Sequence, residues 1–87
     1  MVVPYKQIKI RKYIIRFFYK RDEILYKWHK DDEDREVLFF PIGEWYLQFD
    51  DELPEKLSFP ECEWIYKEDY HRLIRKSGFL LTIIKQY

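Results

Sequence analysis

The feature that most constrains the fold is a succession of short apolar stretches with two-residue alternation, each ended by a turn signal. Trp45, Leu47 and Phe49 alternate with Tyr46 and Gln48, which is the pattern of a strand with one face in a core. No segment keeps a convincing helical periodicity over about 11 residues. The sequence therefore predicts an all-β fold.

Strands are predicted along the whole chain, separated by polar, proline-containing or glycine-containing turns. They cover 5–10, 12–19, 24–29, 36–40, 45–49, 53–59, 62–66, 70–75 and 79–87. The run at 12–19, KYIIRFFY, suits a strand covered on both faces. We expect 31–35 to form a loop with at most one helical turn, and 41–43 to form a turn. About seven to nine short antiparallel strands at this spacing indicate a small barrel or sandwich.

Length and composition favour a single domain with an aromatic core. The chain has 87 residues, of which 47% are apolar and 21% aromatic, and a chain of this length hides only about 60% of its unfolded surface. Large aromatic side chains compensate, because each buries a large area. No linker, repeat or low-complexity block interrupts residues 1–87, so one domain is expected.

Charge and cysteine content limit the functional classes. Sixteen basic residues balance sixteen acidic ones, which argues against nucleic acid or an anionic membrane as partner. The single cysteine, Cys62, excludes an internal disulfide, and we expect it to be a small buried apolar residue. No apolar run approaches the roughly 18 residues of a membrane span. A reducing, cytoplasmic location is the default expectation.

Polar residues of one central segment and one later segment have the spacing of a metal pocket. His29 and Asp31 are two apart, so on an extended strand both side chains share a face. Glu36 follows an acidic loop, and His71 lies in a later alternating stretch from which it can project inward. Two imidazoles with one or two carboxylates suit divalent Fe, Mn, Ni or Zn. A different course of the loop would instead turn Asp34 to the ion.

Two arginines flank this set in sequence. Arg72 and Arg75 either anchor a carboxylate or phosphate of a ligand through bidentate hydrogen bonds, or pair with the acidic loop at 31–34.

At these residues the chain resembles the cupin superfamily. The first cupin motif, G(X)5HXH(X)3,4E(X)6G, matches in spacing from His29 through Glu36 to Gly43, with Asp31 where the second histidine belongs. The second motif, G(X)5PXG(X)2H(X)3N, keeps only His71 as a residue type. The phrases WHKDDEDR, ELPEKL and YHRLI are also similar to small cupin-like proteins encoded by large tailed phages.

The resemblance implies a double-stranded β-helix with His29, Glu36 and His71 as metal ligands and Asp31 as a fourth ligand or its hydrogen-bond partner. Three alternatives remain open: a metal-binding cupin, a cupin shell that has lost its metal, and another small β fold. The first predicts a metal-dependent enzyme acting on a small molecule. The second predicts a binding module without enzymatic activity, directed at a host protein if the chain is viral, or a homodimer formed through exposed strands such as the basic N-terminal one.

Overall fold

The computed structural model describes residues 5–19, 28–31 and 33–87, and this part of the chain forms eight strands. They are β1 (Tyr5–Ile10), β2 (Tyr13–Phe18), β3 (Arg35–Ile42), β4 (Trp45–Phe49), β5 (Glu55–Lys56), β6 (Glu61–Ile65), β7 (His71–Arg75) and β8 (Phe79–Gln86). No helix occurs in the described ranges, so the all-β prediction is confirmed. Among the same residues no helix has the length and hydropathy that crossing a membrane requires.

The strands form two antiparallel sheets. The larger sheet has the order β1-β2-β8-β3-β6, and the smaller has the order β5-β4-β7. An isolated bridge between His29 and His71 extends the smaller sheet beyond β7. The basic strand β1 lies at one edge of the larger sheet, as expected for the N-terminal segment.

Alternation along the strands places the core between the two sheets. The larger sheet contributes every second residue of β2, β3 and β8, and the smaller sheet contributes Trp45 and Leu47 from β4. The buried apolar residues are Ile14, Phe18, Val37, Phe39, Trp45, Leu47, Leu57, Ile65, Leu80 and Ile84. Removing this area from water is the main favourable term that holds the two sheets together.

The two glycines of the chain form one corner of the sandwich. Gly43 connects β3 to β4 and Gly78 precedes β8, so both turns join the larger sheet to the smaller one. Their φ angles are 127° and 77°, conformations that L side chains rarely adopt. A Cβ atom on Gly78 would lie 1.8 Å from the carbonyl oxygen of Ile42. The close crossing of the two turns therefore requires glycine at both positions.

Two sequence-based expectations about burial are wrong. β2 is covered on one face only, since Ile14 and Phe18 are buried whereas Tyr13 and Phe17 are exposed. Cys62 is exposed. Side chains alternate between the two faces along β6, and because Ile65 points into the core, Cys62 three residues earlier points away from it. Runs of consecutive apolar residues hide which face of a strand is buried.

The turn expected at 41–43 starts later than predicted, because Pro41 and Ile42 belong to β3. Pairing between β3 and β6 ends at Phe39, so proline lies where one side of the strand has no partner and no N–H is needed. Of the strand predicted at 24–29, residues 24–27 lie outside the described part of the chain, and His29 forms only a bridge.

We expect Gly43→Ala and Gly78→Ala to destabilise the fold by about 2 kcal/mol or more, because a Cβ atom meets backbone at a φ that alanine avoids. Urea denaturation measures the free energy of unfolding. Lys76→Ala is the matched control, because only the backbone N–H of Lys76 contributes to this corner, through a bond to the Glu44 carbonyl. Equal stability of all three variants would contradict this account of the corner.

Candidate metal centre

His29 and His71 lie directly opposite each other on neighbouring strands. The His29 N–H donates to the His71 carbonyl at 3.0 Å, and the His71 N–H donates to the His29 carbonyl at 2.9 Å. Residues paired in this way project their side chains to the same face of a sheet. Their ring centroids are accordingly 4.4 Å apart, so the two predicted histidines meet.

Asp31 joins the histidines because it lies two residues after His29 on the same face. Its Oδ1 is 3.9 Å from His29 Nε2 and its Oδ2 is 3.5 Å from His71 Nε2. The side chains of Asp31 and His71 are only 8% and 6% exposed, whereas that of His29 is 52% exposed. The cluster therefore starts at the surface and ends in the interior.

The protonation of His71 suits a metal ligand. Its Nδ1 lies 2.9 Å from the carbonyl oxygen of Asp69, so Nδ1 carries a proton and donates it to that carbonyl. Nε2 is thereby directed at Asp31 and the centre, where it can bind a metal ion when it is deprotonated. Burial lowers the pKa of His71, and the nearby His29 and Arg35 act in the same direction. A neutral imidazole held by a backbone carbonyl is the usual arrangement of a metal-bound histidine.

Arg35 supplies a positive charge to the buried carboxylate. Its Nη1 is 3.3 Å from Asp31 Oδ1, and its Nη2 is 3.5 Å from Glu33 Oε1. The Arg35 side chain is 13% exposed, and its Nε is buried with no acceptor among the described residues. Arg35 pairs with Oδ1 of Asp31. The other carboxylate oxygen, Oδ2, therefore faces His71.

The three side chains fit a divalent metal ion. One donor atom from each of His29, Asp31 and His71 lies within 4.8 Å of the others. Bonds of about 2.1 Å place neighbouring ligands about 3.0 Å apart in an octahedral site and about 3.4 Å apart in a tetrahedral one. The donor atoms therefore need to approach one another by up to about 1.5 Å to hold one ion. Two imidazoles and one carboxylate form the facial set that leaves open positions on non-haem iron.

The structure does not bring Glu36 to this cluster. Its Oε1 accepts a hydrogen bond from the Tyr87 hydroxyl at 3.3 Å, and its Oε2 is 4.0 Å from Cys62 Sγ. Glu36 alternates with the buried Val37 along β3, which turns its carboxylate to the other face of the sheet. Asp34 is also elsewhere, because its Oδ1 accepts from the backbone N–H of Lys67 at 2.9 Å.

Neither arginine after His71 forms an ion pair with Asp31, Glu33 or Asp34, the described acidic residues of the loop. Arg72 Nε donates to Gln48 Oε1 at 2.9 Å, and its guanidinium carbon lies 4.8 Å from the centre of the Trp28 ring. Arg75 Nε donates to the carbonyl oxygen of Gly78 at 3.0 Å. Neither contact reaches Asp31.

Sequence reasoning missed Arg35, which is the closest basic side chain to the candidate centre among the described ion pairs. Arg35, Val37 and Phe39 alternate on one face of β3, and this spacing is the signal that identifies Arg35 as inward-facing. The signal is masked because Val37 to Phe40 are all apolar, and either face of such a run can be buried.

Comparisons with known proteins give a clear answer for the fold. No protein-family model matches the sequence, and a comparison with curated proteins finds no match. Solved structures do match. A cupin-2 domain protein from Shewanella frigidimarina aligns with a TM-score of 0.69 and 19% identity over 95% of this chain and 79% of its own. This chain has a cupin fold. The resemblance seen in the first motif is confirmed at this level.

Two further solved structures share this fold. A protein from Neisseria meningitidis aligns with a TM-score of 0.70 and 19% identity over 95% of this chain and 83% of its own. The Fe(II) form of HppE aligns with a TM-score of 0.66 and 11% identity over 95% of this chain, which spans 48% of HppE. HppE has also been crystallised with Co(II) and substrate. Identities this low establish a shared fold, and the resemblance to tailed-phage proteins stays a prediction.

The position of Glu36 predicts the reactivity of Cys62. Burial, followed by the charges of Glu36 and Glu63, raises the pKa of the Cys62 thiol. Because the thiolate is the reactive form, alkylation by iodoacetamide should accelerate at a higher pH than for an unperturbed cysteine. Glu36→Gln should move this profile to lower pH. A profile that Glu36→Gln leaves unchanged would contradict the outward orientation of Glu36.

The buried pair of Asp31 and Arg35 predicts a stability difference. In metal-free protein, Asp31→Asn should lower the free energy of unfolding by about 1–3 kcal/mol, because it leaves the Arg35 guanidinium with only Glu33. The matched control is Glu68→Gln, which breaks the exposed pair with Lys30 and should change stability very little. Urea denaturation of both variants measures the difference, and equal effects would show that Arg35 is adequately solvated without Asp31.

Proposed function

We propose that this cupin binds one divalent metal ion through His29, Asp31 and His71 and presents it to a small-molecule ligand. The observation that carries the proposal is that one donor atom from each of these three residues lies within 4.8 Å of the others. In addition, the second ring nitrogen of His71 is already hydrogen-bonded to the Asp69 carbonyl. Ions of the Fe, Mn, Ni and Zn type match this donor set.

Each side chain has a separate task in the proposed centre. His71 supplies a rigid, buried nitrogen, because the Asp69 carbonyl fixes its tautomer and ring orientation. Asp31 supplies the negative charge that partly offsets a dication. His29 completes the set at the surface end of the cluster, where a ligand arrives from solvent. A bound divalent ion would polarise an oxygen of the ligand or lower the pKa of a bound water.

Arg35 supports the presence of a ligand beside the metal position. Its guanidinium orients Asp31 through Oδ1, and its buried Nε finds no acceptor in the described part of the protein. A buried donor without a partner costs free energy, so an oxygen atom of a bound molecule would stabilise it. This favours a ligand that carries a carboxylate or another oxygen acceptor.

A metal-free binding module is the second candidate. The observation that favours it is the same ion pair, because Arg35 already balances the charge of Asp31 without a metal ion. In that case the cupin shell would bind its partner with no ion, and the degraded second sequence motif would reflect the loss of metal. Metal titration separates the two candidates.

Titration of chelator-treated protein with Co(II) tests the metal proposal, since the absorption of Co(II) reports coordination directly. We expect one ion per chain in the wild type. His71→Ala, and separately Asp31→Asn, should weaken binding by about 100-fold or more, because removing a direct ligand exceeds the 10–100-fold loss typical of outer partners.

Glu36→Gln is the matched control for this titration, because its carboxylate lies on the other face of β3. It should bind Co(II) like the wild type. Absence of Co(II) binding in the wild type would favour the metal-free module, and loss of binding in Glu36→Gln would place the centre elsewhere.

A further inference from the structure

Two arginine side chains point from the larger sheet into the space between the sheets. Arg16 lies between the buried Ile14 and Phe18 along β2, so it shares the inner face of the sheet with them. Arg35 lies on the same face of β3, next to the candidate metal centre. β8 separates these two strands in the sheet. The inner face therefore carries one guanidinium group on each side of β8.

Arg16 is held in place by the edge strand but has no negative partner. Its Nε donates to Gln7 Oε1 at 2.6 Å, and its guanidinium carbon lies 4.6 Å from the centre of the Tyr5 ring. Among the described residues no carboxylate forms an ion pair with Arg16. A guanidinium has five N–H donors, and these contacts use only the one on Nε. The donors on the two terminal nitrogens are therefore available to a ligand.

The guanidinium of Arg16 lies close enough to the candidate centre to interact with its charges. Burial lowers the pKa of Arg16, and the positive charge of Arg35 acts in the same direction, whereas Tyr5 and Asp31 raise it. The two guanidinium groups thus repel each other in a partly buried region. A negatively charged group bound between them would replace this repulsion with attraction.

Two buried polar groups on the same inner face have no partner in the described part of the chain. Thr82 is 1% exposed and lies directly opposite Arg16 in register, and its Oγ1 has no hydrogen bond. Arg35 Nε is in the same condition. An unpaired buried polar group costs free energy, and a valine at position 82 would avoid that cost. Both groups would be satisfied by oxygen atoms of a bound molecule.

A metal ion at the candidate centre would leave this region positively charged. The positive charges of Arg16 and Arg35 are balanced by the negative charges of Asp31 and Glu33, and histidines that bind a metal ion are neutral. A dication would therefore add two positive charges with no counter-charge. A ligand with one or two negative charges would restore the balance.

We infer that the small-molecule ligand of this cupin is an oxyanion, whose charged group binds between Arg16 and Arg35 with the Thr82 hydroxyl as a further donor. The inference rests on the proposed function, because it names the class of ligand that the same site holds. Guanidinium groups bind carboxylate and phosphate oxygens through paired hydrogen bonds. Neutral and cationic molecules lack the group that these donors recognise.

Titration with sodium sulfate and with sodium propionate, at constant ionic strength, tests the inference with a tetrahedral dianion and a carboxylate. NMR follows the Nε–H signals of Arg16 and Arg35, which report contact with an oxyanion directly. In the wild type both signals should shift and saturate. Loading with Zn(II) should tighten binding by about fivefold or more, the lower end of typical coupling between two sites. The probe that binds more tightly identifies which type of oxyanion the site prefers.

Three variants locate the binding site. Arg16→Gln should weaken binding of the preferred probe by about tenfold or more, because charge-assisted hydrogen bonds are lost. Arg16→Lys keeps the charge without the planar fork, so its affinity should lie between those of the wild type and Arg16→Gln. Thr82→Val should weaken binding by about fivefold without lowering the free energy of unfolding of the ligand-free protein. If Arg16→Gln fails to fold, the other two variants decide the outcome.

Arg72→Gln is the matched control, because it removes the same charge from a different place. Arg72 follows His71 by one residue, so it lies on the opposite face of β7, where it contacts Gln48 and Trp28. This variant should bind both probes like the wild type.

Two results would overturn the inference. The first is a wild-type protein in which neither probe shifts the signals of Arg16 and Arg35, with or without Zn(II). The second is equal weakening by Arg16→Gln and Arg72→Gln, which would indicate a general attraction of anions to the protein.

The metal proposal is judged separately by Co(II) titration. Probe binding at Arg16 in a protein that takes up no Co(II) would support the oxyanion site and remove the metal ion. Co(II) uptake without any probe response at Arg16 would keep the metal ion and remove the oxyanion site.

Discussion

The pair of backbone hydrogen bonds between His29 and His71 is the interaction on which the candidate site depends. Residues far apart in sequence become direct cross-strand neighbours through these two bonds, and a shared sheet face then brings their rings together. Asp31 lies on the same face as His29 without any additional contact, because it follows His29 by two residues on an extended segment. A slip of one residue in this pairing would turn His71 to the opposite face and dismantle the cluster.

Charge balance around Asp31 links the site to the stability of the fold. A carboxylate this deeply buried requires a positive partner, because an unpaired buried charge is costly. Arg35 provides that partner, and a dication would provide a stronger one. The two cations do not exclude each other, since Asp31 presents one oxygen to Arg35 and the other to His71. In the proposed metal-bound form, the affinity for the ion would depend on how far the guanidinium already satisfies the carboxylate.

The larger sheet has apolar residues on both of its faces. A sandwich of this length has room for one core, and that core takes the inward residues of both sheets. The larger sheet nevertheless has consecutive apolar residues in β2, β3 and β8, so its outward residues are apolar too. Strands of this composition are typical of sheets covered on both faces.

The sequence by itself determined the all-β class, most strand positions and the inward orientation of His71, because these follow from two-residue alternation and turn signals that act locally. Of the predicted strand 53–59, only Glu55–Lys56 forms a strand. The sequence also brought His29 and Asp31 to one face through their spacing alone. It placed Glu36 among the ligands, with Asp34 as the alternative, whereas in the structure Arg35 points inward and Glu36 outward. A run from Val37 to Phe40 permits either face, and only the packing of β3 between β8 and β6 chooses one. The sequence likewise predicted a buried Cys62 and a doubly covered β2. The tertiary structure reversed both, because which face of a strand is buried depends on the position of the other sheet, and that position is set by the glycine corner and by non-local pairing.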